Sequence, residues 1–422
     1  MKKLMSFIVC LIAFIVGIGG GAGAMWYVSL PETEELVLGE DVFYSYNDAE
    51  ISTAEFDNGT DVFSVHFVEL GNKYTGDCTY IKYGDVDILI DCGSRANSIG
   101  AVSSYLNQYV TDNTIEYVIV THAHRDHYAG FATSTKVNSI FDLYVCETII
   151  DFGNATNQDP TASTYKNYIR ERTAEIEAGA THVTAIDCRN NDNTNREFVI
   201  DETNNVKFEV LFNEYSKFDN TQTDKTYKAH SENDYSVCIL FSFEDKKFLF
   251  TGDLEEEGEV KLVENNQSLQ ELRDNGEQYG VDLYKAGHHG SKTSSSETLL
   301  NAIRPEHVCV CCCAGSTEYT STPENTFPTQ AFVDRIAKYT SKVFVTTLCV
   351  DYDKGEFTSF NGNIVIWTKL ENAINVDCSN NEIVLKDTDW FKANRTMPTQ
   401  WQNVASWYSL TAICSCLNCL CQ

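Results

Sequence analysis

Short apolar runs separated by polar turns and amphipathic segments extend along most of the chain, and they predict a mixed α/β protein. Runs of four to eight residues rich in β-branched and aromatic side chains are typical of strands, and apolar positions with a period of 3.6 are typical of helices. The predicted strands are 62–68, 78–82, 86–90, 117–120, 139–151 after a short helix, 206–212, 235–243, 247–251, 281–285, 307–313, 343–348 and 363–369. The predicted helices are 99–109, 164–178, 255–273 with a break at Asn265-Asn266, 296–303 and 330–339.

The order of these elements predicts how they pack. Strands come first, and strands mixed with helices follow twice over, which favours sheets packed face to face with helices outside them. The run 307–313 contains Cys309, Cys311, Cys312 and Cys313. We interpret it as a buried strand in which cysteine serves as a small apolar residue.

The N-terminal residues have the pattern of an export segment. Lys2 and Lys3 precede an uncharged apolar stretch, and Ala22-Gly23-Ala24 fits a small-residue cleavage site. Without cleavage the same stretch is long enough to span a bilayer. We therefore expect a chain that is secreted or anchored to the outer face of the cytoplasmic membrane. A buried N-terminal helix is the weaker alternative.

These patterns predict four regions of the chain. They are a signal peptide or N-terminal membrane anchor (1–30), an acidic linker (31–60), a hydrolase domain (61–370) and a C-terminal extension with a cysteine-rich tail (371–422). The tail carries Cys414, Cys416, Cys419 and Cys421, and a soft-metal site, disulfide bridges and a disordered end all remain open for it.

Net charge narrows the range of partners. The 422 residues carry a formal charge of −30, which disfavours binding to nucleic acid or anionic membranes unless a local basic or metal-rich patch overrides it. The 16 cysteines do not have the spacing of a disulfide framework. No protein partner is predicted.

Metal-binding side chains cluster directly after the predicted strand 117–120. His122 and His124 can point the same way from extended chain and reach one ion, because alternate side chains share a face. Asp126 and His127 follow as the chain turns, and they can reach a second ion. Imidazole nitrogen and carboxylate oxygen suit zinc and similar divalent metals.

Two further strand ends carry side chains of the same kind. Asp253 follows the strand 247–251, and an aspartate there can bridge two cations, although a lone aspartate would more often be an ordinary turn residue. His288 and His289 follow the strand 281–285, and the pair can offer one ring to a metal and the other to a substrate. Three such clusters in this order are much more specific than any one of them.

The segments Thr121-His-Ala-His-Arg-Asp-His127 and Ile88-Leu-Ile-Asp-Cys-Gly93 resemble the HxHxDH motif and the first motif aspartate of the metallo-β-lactamase fold superfamily. Asn233-Asp-Tyr-Ser-Val237, Phe250-Thr-Gly-Asp-Leu254 and Lys285-Ala-Gly-His-His-Gly-Ser-Lys-Thr-Ser294 resemble the branch that includes the hydrolase domain of ComEC-type competence proteins. A weaker resemblance is to secreted phosphorylcholine esterases. The resemblance covers roughly residues 61–370.

This resemblance implies an α+β fold, a four-layer αββα sandwich, with a site for two divalent metal ions, zinc or alternatively manganese. The implied metal ligands are His122, His124, Asp126, His127, Asp253 and His288. The first two would hold one ion, Asp253 would bridge, and the others would hold the second ion. Asp126 would also orient the nucleophile, and His289 would lie beside the scissile group. Asp91 would fix the ligand loop.

One departure from the superfamily pattern concerns the first ion. Many members supply a further histidine from the middle of the chain, and the candidates here are His182 and His230. Neither has the expected glycine-histidine context. If neither binds, the first ion has an open position or is held weakly.

The leading functional prediction is an exported phosphodiesterase that uses a metal-bound hydroxide at a dinuclear site. Its substrate would be a phosphodiester in nucleic acid or in a cell-wall polymer, and Lys285, Arg125 and Lys292 are candidate phosphate contacts. The alternatives are a phosphorylcholine esterase and a non-catalytic binding protein that keeps the fold. The membrane is a partner if the N-terminal segment is uncleaved.

Overall fold

The short apolar runs form strands, and the computed structural model describes residues 53–57, 59–132, 138–155, 162–188, 196–213 and 232–405. Within these residues the strands make two eight-stranded sheets. Several strands, including Val62–Phe67 and Cys238–Phe243, are buried along their whole length, as expected for strands covered on both faces.

The first sheet combines the beginning of the domain with its end. Its strands are β1 (Val62–Phe67), β2 (Thr79–Tyr83), β3 (Val86–Ile90), β4 (Thr114–Val120), β5 (Val145–Asp151), β6 (Thr181–Thr184), β15 (Ile364–Lys369) and β16 (Asn375–Cys378). Their spatial order is β16-β15-β1-β2-β3-β4-β5-β6. From β3 to β6 neighbouring strands are parallel, and the remaining pairs are antiparallel.

The second sheet is formed by the middle of the chain. Its strands are β7 (Arg196–Asp201), β8 (Val206–Leu211), β9 (Cys238–Phe243), β10 (Lys246–Phe250), β11 (Val281–Lys285), β12 (Pro305–Ala314), β13 (Val343–Asp351) and β14 (Glu356–Ser359). Their spatial order is β14-β13-β12-β11-β10-β9-β8-β7. Here β10 to β13 are parallel.

Helices connect the parallel strands, and one more helix follows the last strand. They are α1 (Ser98–Leu106), α2 (Arg125–Tyr128), α3 (Ile140–Leu143), α4 (Ser163–Ala178), α5 (Glu256–Asn265), α6 (Gln267–Asp274), α7 (Glu297–Ile303), α8 (Gln330–Ile336) and α9 (Asp389–Asn394). The predicted break near Asn265-Asn266 is confirmed. Asn266 leaves the helical conformation (φ −119°, ψ 116°), and its side chain exchanges hydrogen bonds with the backbone of Phe212.

Three apolar clusters define four layers. The central cluster lies between the sheets and includes Phe63 of β1 against Phe248 of β10, with ring centroids 4.8 Å apart. A second cluster packs α5–α9 on the outer face of the second sheet, and a third packs α1, α3 and α4 on the first. The predicted αββα sandwich is confirmed. Each fully buried phenylalanine contributes about 1.5–3 kcal/mol to this core.

The cysteine-rich run forms the strand that the sequence predicts. Cys309, Cys311, Cys312 and Cys313 lie in β12, at most 3% exposed, and all four are free thiols. Burial raises the pKa of the Cys311 and Cys312 thiols, the second to about 12, so they remain protonated and act as apolar side chains.

The fold continues past residue 370, where the sequence suggested a domain boundary. Strand β16 pairs with β15, and the side chains of Leu385, Phe391 and Trp401 are buried in the cluster beside the second sheet. The signal or anchor segment, nearly all of the acidic linker, His230 and the cysteine-rich tail lie outside the described residues. In the part of the chain that is described, no helix is long and apolar enough to cross a membrane.

Candidate metal centre

The predicted donors of the first sheet come together where β4 ends. His122 and His124 leave the strand in extended chain, with Nε2 of the first ring 3.0 Å from Nδ1 of the second. The short helix α2 then places Asp126 and His127 one turn further on. The rings of His122 and His127 lie with their centroids 4.1 Å apart. The strand-end cluster predicted from sequence is therefore compact.

The second sheet brings its donors to the same edge, because β10 and β11 are parallel and both end there. Asp253 follows β10 through Gly252, which has a φ of +54°. A Cβ at residue 252 would lie 2.9 Å from Cβ of Thr121 and 2.8 Å from Oγ of Ser236. Glycine is thus required for the loop after β10 to approach the end of β4.

One carboxylate oxygen, Oδ2 of Asp253, is the meeting point of the imidazoles. It lies 3.1 Å from Nε2 of His127 and 3.3 Å from Nε2 of His289. Nε2 of His122 is 3.9 Å away and Nε2 of His288 is 4.0 Å away. A single oxygen surrounded in this way is well placed to be shared between two cations.

The structure places the two histidines after β11 differently from the sequence expectation, which gave the metal to His288 and the scissile group to His289. Both have positive φ, 47° and 55°, in the Gly287–Gly290 turn. His289 is buried, with Nε2 3.6 Å from Oδ2 of Asp126, and it groups with Asp126 and His127. The His288 side chain is 22% exposed, and it belongs to none of the donor groups among the described residues.

The buried imidazoles are oriented by partners on their outer nitrogens. Nδ1 of His127 lies 2.7 Å from Oδ2 of Asp91. Nδ1 of His289 lies 2.9 Å from the carbonyl oxygen of Cys311 and 3.1 Å from Oδ1 of Asp77. Such contacts fix the ring and direct the lone pair of Nε2 inward, as in metal-binding histidines.

Asp91 links the end of β3 to the metal-donor loop. It has a φ of +56°, and its carboxylate accepts hydrogen bonds from N of Thr121 at 2.8 Å and from Oγ1 of Thr121 at 2.7 Å. With its contact to His127, this carboxylate holds the beginning and the end of the donor loop together. The geometry has the form expected for a residue that positions ligands.

Two charged residues, Asp77 and Lys285, form an ion pair beneath the donors that sequence analysis missed. Lys285 was expected to meet a phosphate, but its side chain is 3% exposed and its Nζ also lies 3.9 Å from Oδ1 of Asp253. It is therefore a buried counter-ion. Asp77 precedes β2, which runs antiparallel to β3, so the beginning of β2 and the end of β3 share an edge. A predicted antiparallel pairing of these two strands could therefore have placed Asp77 near the donors.

The arrangement fits divalent cations. Nε2 of His289 and Oδ1 of Asp253 are buried without a hydrogen-bond partner among the described residues. Leaving such atoms without any partner costs about 1–3 kcal/mol each, and a cation removes that cost. Zinc ligands at about 2.0–2.1 Å lie about 3.3 Å apart in a tetrahedron. The separations of 3.1, 3.3 and 3.6 Å among these donors match that value.

Sequence comparison agrees with this geometry. Residues 71–140 and 220–314 match the family model described as the metallo-beta-lactamase superfamily. These two segments of the chain are similar to the metallo-beta-lactamase superfamily. Both matched segments contain donors to the centre, since the first includes the loop after β4 and the second includes Asp253 and His289.

The superfamily relatives include a competence protein, as the sequence motifs suggested. The chain is 35% identical over 104 residues to competence protein ComA of Neisseria gonorrhoeae. That match covers 24% of this chain and 12% of the competence protein, so the chain spans about an eighth of the length of this relative.

Solved metallo-beta-lactamase-fold structures are similar at low identity. YhfI from Bacillus subtilis is 13% identical, with 71% of this chain and 99% of that chain covered and a TM-score of 0.35. A diphosphatase from the PhnP family is 11% identical (70% and 98% covered, TM-score 0.31), and human tRNase Z, short form, is 14% identical (59% and 92% covered, TM-score 0.27). The fold assignment rests on the sheets described above.

The mid-chain histidine found in many superfamily members has no described counterpart here. His182 lies in β6, and its Nε2 contacts Oδ1 of Asp151 at 2.9 Å in a buried group that also contains Arg172. Among the described residues it belongs to none of the donor groups. His122 and His124 therefore have fewer protein donors around them than His127 and His289.

The carboxylates of the candidate metal centre raise the pKa values of two buried histidines, so protons and a metal would compete for the same rings. Burial alone would lower the pKa of His127, but the carboxylates of Asp253, Asp91 and Asp77 raise it well above 6.5. Asp253 and Asp77 likewise raise the pKa of His289 against burial. In the metal-free chain these carboxylates favour the protonated rings, and a bound metal would compete with those protons.

Two exposed cations that the sequence suggested as phosphate contacts lie at the surface near the centre. Arg125 opens α2, and Nζ of Lys292 lies 3.3 Å from Oδ1 of Asn325. Both remain candidates for substrate contact. The chain thus combines two segments that match the metallo-beta-lactamase superfamily model with clustered side chains that could hold divalent metals.

Proposed function

We propose that this chain is a metal-dependent phosphodiesterase. The observation that carries the proposal is the convergence of donors from both sheets on Oδ2 of Asp253. The proposed donors to one cation are Asp126, His127 and His289, with Asp253 shared, and the proposed donors to another are His122 and His124. Divalent cations bound there would supply Lewis-acid activation of water and of a phosphoryl oxygen.

Side chains of the protein would then position the attacking water and accept a hydrogen bond from it. Asp126 has a side chain that is 14% exposed, against 2% for Asp253, so it is the more accessible carboxylate for an attacking water. Nearby histidines hold its pKa well below 3.8 against burial, which keeps it ionised and able to accept a hydrogen bond. It would orient the water toward phosphorus.

The roles of the paired histidines are exchanged relative to the sequence expectation. We assign His289 to the metal because it is buried among the donors, and His288 to the substrate side because its side chain is partly exposed. Nδ1 of His288 lies 3.1 Å from Oγ1 of Thr293 and 3.4 Å from Oε1 of Glu255. These contacts hold its Nε2 on the side of Asp253.

The substrate and the location that we propose are those that the sequence patterns suggest. The substrate is a phosphodiester of nucleic acid or of a cell-wall polymer, with phosphorylcholine esters as the second candidate. The N-terminal pattern supports an exported chain, secreted or held at the outer face of the cytoplasmic membrane. The match to a competence protein supports the same branch of hydrolases.

Purified protein loaded with zinc or manganese tests the activity on bis(p-nitrophenyl) phosphate and on single-stranded DNA. Metal-dependent turnover that is lost in Asp253→Ala supports the proposal. Bound metal without turnover on either substrate, or on choline phosphodiesters, contradicts it.

A non-catalytic binding protein is the second candidate, and the small number of donors around His122 and His124 favours it. Metal analysis separates the two functions. Less than about one tightly held ion per chain, unchanged in Asp253→Ala, identifies the binding protein.

A further inference from the structure

Tyr319 is an unusual aromatic residue of this fold. Its exposed fraction is 54%, and every other phenylalanine, tyrosine or tryptophan among the residues that the structure describes is buried or only partly exposed. Large aromatic side chains are normally buried because each one removes much apolar surface from water. A tyrosine with an exposed ring and a bonded hydroxyl can offer its apolar face to a ligand.

Its position relates this ring to the candidate metal centre. The hydroxyl of Tyr319 donates to Oδ2 of Asp126 at 2.8 Å. Its ring centroid lies 5.8 Å from that of Phe327, which in turn lies 5.8 Å from His289 and 6.0 Å from His288. Tyr319 and Phe327 together form an aromatic wall at the mouth of the centre.

Other residues hold the loop that carries this wall. Glu318 pairs with Arg95 and accepts a hydrogen bond from N of Thr75 at 2.9 Å. At the other end, the guanidinium of Arg395 donates to the carbonyl oxygens of Thr326 at 2.7 Å and Pro328 at 3.0 Å. The loop is therefore fixed without help from the exposed ring of Tyr319, which leaves that ring available to a ligand.

The charges near the wall indicate which ligand it suits. Arg95 neutralises Glu318, the carboxylate next to Tyr319, and its guanidinium stacks on Tyr74 at 4.2 Å. The carboxylate on the wall's own loop is thus paired and offers no free charge to a quaternary ammonium group, so the aromatic faces suit a neutral planar ring better.

We propose that the aromatic wall binds a planar ring attached to the phosphoryl group of the substrate. Tyr319 would then set a preference for aromatic esters over aliphatic ones, with the phosphoryl group at the metal centre and the ring stacked on its exposed face. This inference rests on the proposed phosphodiesterase function and names the substrate class of that site.

Two monoesters of equal charge and similar size, phenyl phosphate and cyclohexyl phosphate, isolate the planar ring. Their Kd values on the zinc-loaded full-length chain, measured by calorimetry, should differ about fivefold in favour of phenyl phosphate, since aromatic pairing contributes about 0.5–1.5 kcal/mol beyond burial of area. Tyr319→Leu should abolish the preference and Tyr319→Phe should keep it. Tyr279→Leu, at a partly exposed tyrosine before β11, should change nothing.

Three results overturn the inference. They are equal affinity for the two esters in the unaltered chain, a preference that survives in Tyr319→Leu, and tighter binding of choline phosphate than of phenyl phosphate. Thermal melting of each variant shows that the fold is intact. Turnover of bis(p-nitrophenyl) phosphate is measured separately. If the chain turns over the diester but shows no preference for the phenyl ester, only the proposed role of the aromatic wall is rejected. If it prefers the phenyl ester but shows no turnover, only the proposed phosphodiesterase function is rejected.

Discussion

The two halves of the candidate metal centre differ in how completely the protein builds them. The closed half consists of Asp126, His127, Asp253 and His289, drawn from both sheets. The open half consists of His122 and His124, which come from one loop of the first sheet, and His122 also groups with His127 and Asp253 of the closed half. In the closed half both rings have anchored outer nitrogens and neighbouring carboxylates. The open half has a close pair of rings, with Asp253 3.9 Å from the first of them.

This difference indicates which half would hold an ion tightly and which half would exchange water or substrate. A closed set of four donors suits a tightly held ion, whereas an incomplete set leaves positions for water or substrate. We therefore expect the closed half to load first and to hold its metal more strongly. The open half is the side where a phosphoryl oxygen would enter.

Asp253→Ala has the largest expected effect, because it removes the one carboxylate shared by both halves. Losing a shared donor removes several kcal/mol of metal stabilisation, and each 1.4 kcal/mol is tenfold, so metal affinity and turnover should fall about 1,000-fold or more. Metal content after dialysis and steady-state kinetics measure this. Asp245→Ala, at an exposed aspartate between β9 and β10, is the matched control. Retention of both ions in Asp253→Ala would remove the basis for a shared centre.

Replacing the paired histidines one at a time tests the assignment of the closed half. His289→Ala should lower the affinity of the tighter ion at least about 100-fold, since it removes a buried donor. His288→Ala should change that affinity less than about tenfold and act mainly on kcat. Titration with cobalt, followed by absorbance, measures both. A larger loss of affinity in His288→Ala would restore the assignment expected from the sequence.

Asp91→Asn weakens the orientation of His127 without removing a donor. Metal affinity of the closed half should fall about 10–100-fold, as for other residues that orient metal-binding histidines. Asp87→Asn, at a buried aspartate of the same strand whose partners are Tyr80 and Lys82, should leave metal affinity unchanged. Equal losses in the two variants would point to general damage to β3.

A further prediction, on stability and not on metal affinity, concerns the pH dependence of unfolding in the metal-free chain. The raised pKa of His127 and of His289 means that their stabilisation is fully present below the unfolded value of 6.5 and is lost as pH rises through the folded pKa. Stability in EDTA should therefore fall above pH 6.5, by up to about 1.4 kcal/mol per pH unit for each proton. The zinc-loaded chain should not show this loss, because metal replaces the protons. Urea unfolding between pH 6 and 9 measures both, and identical profiles would contradict the prediction.

Much of the fold could be predicted from the sequence. Continuous apolar runs such as β9 and the cysteine strand β12 become buried strands because the first sheet covers one face and helices cover the other. The donor cluster after β4 and Asp253 after β10 could be found because they follow strand ends. Parallel strands that end at one edge bring such residues together.

The choice between His288 and His289 could not be made in the same way. Both residues adopt positive φ in one tight turn, and adjacent side chains then separate in directions that no periodicity indicates. The pairing of Asp77 with Lys285 was also hidden, because it joins residues from different sheets far apart in the chain. The docking of the sheets produces this contact, and local patterns do not report it.

The buried ammonium group of Lys285 has a consequence for the metal-free state of the protein. It is a counter-ion that is covalently attached, so it cannot diffuse away when the surroundings are poor in zinc or manganese. The carboxylates of Asp77 and Asp253 keep a positive neighbour in every state of loading. We therefore expect the metal-free chain to stay folded, so that any bound metals could be lost and regained reversibly.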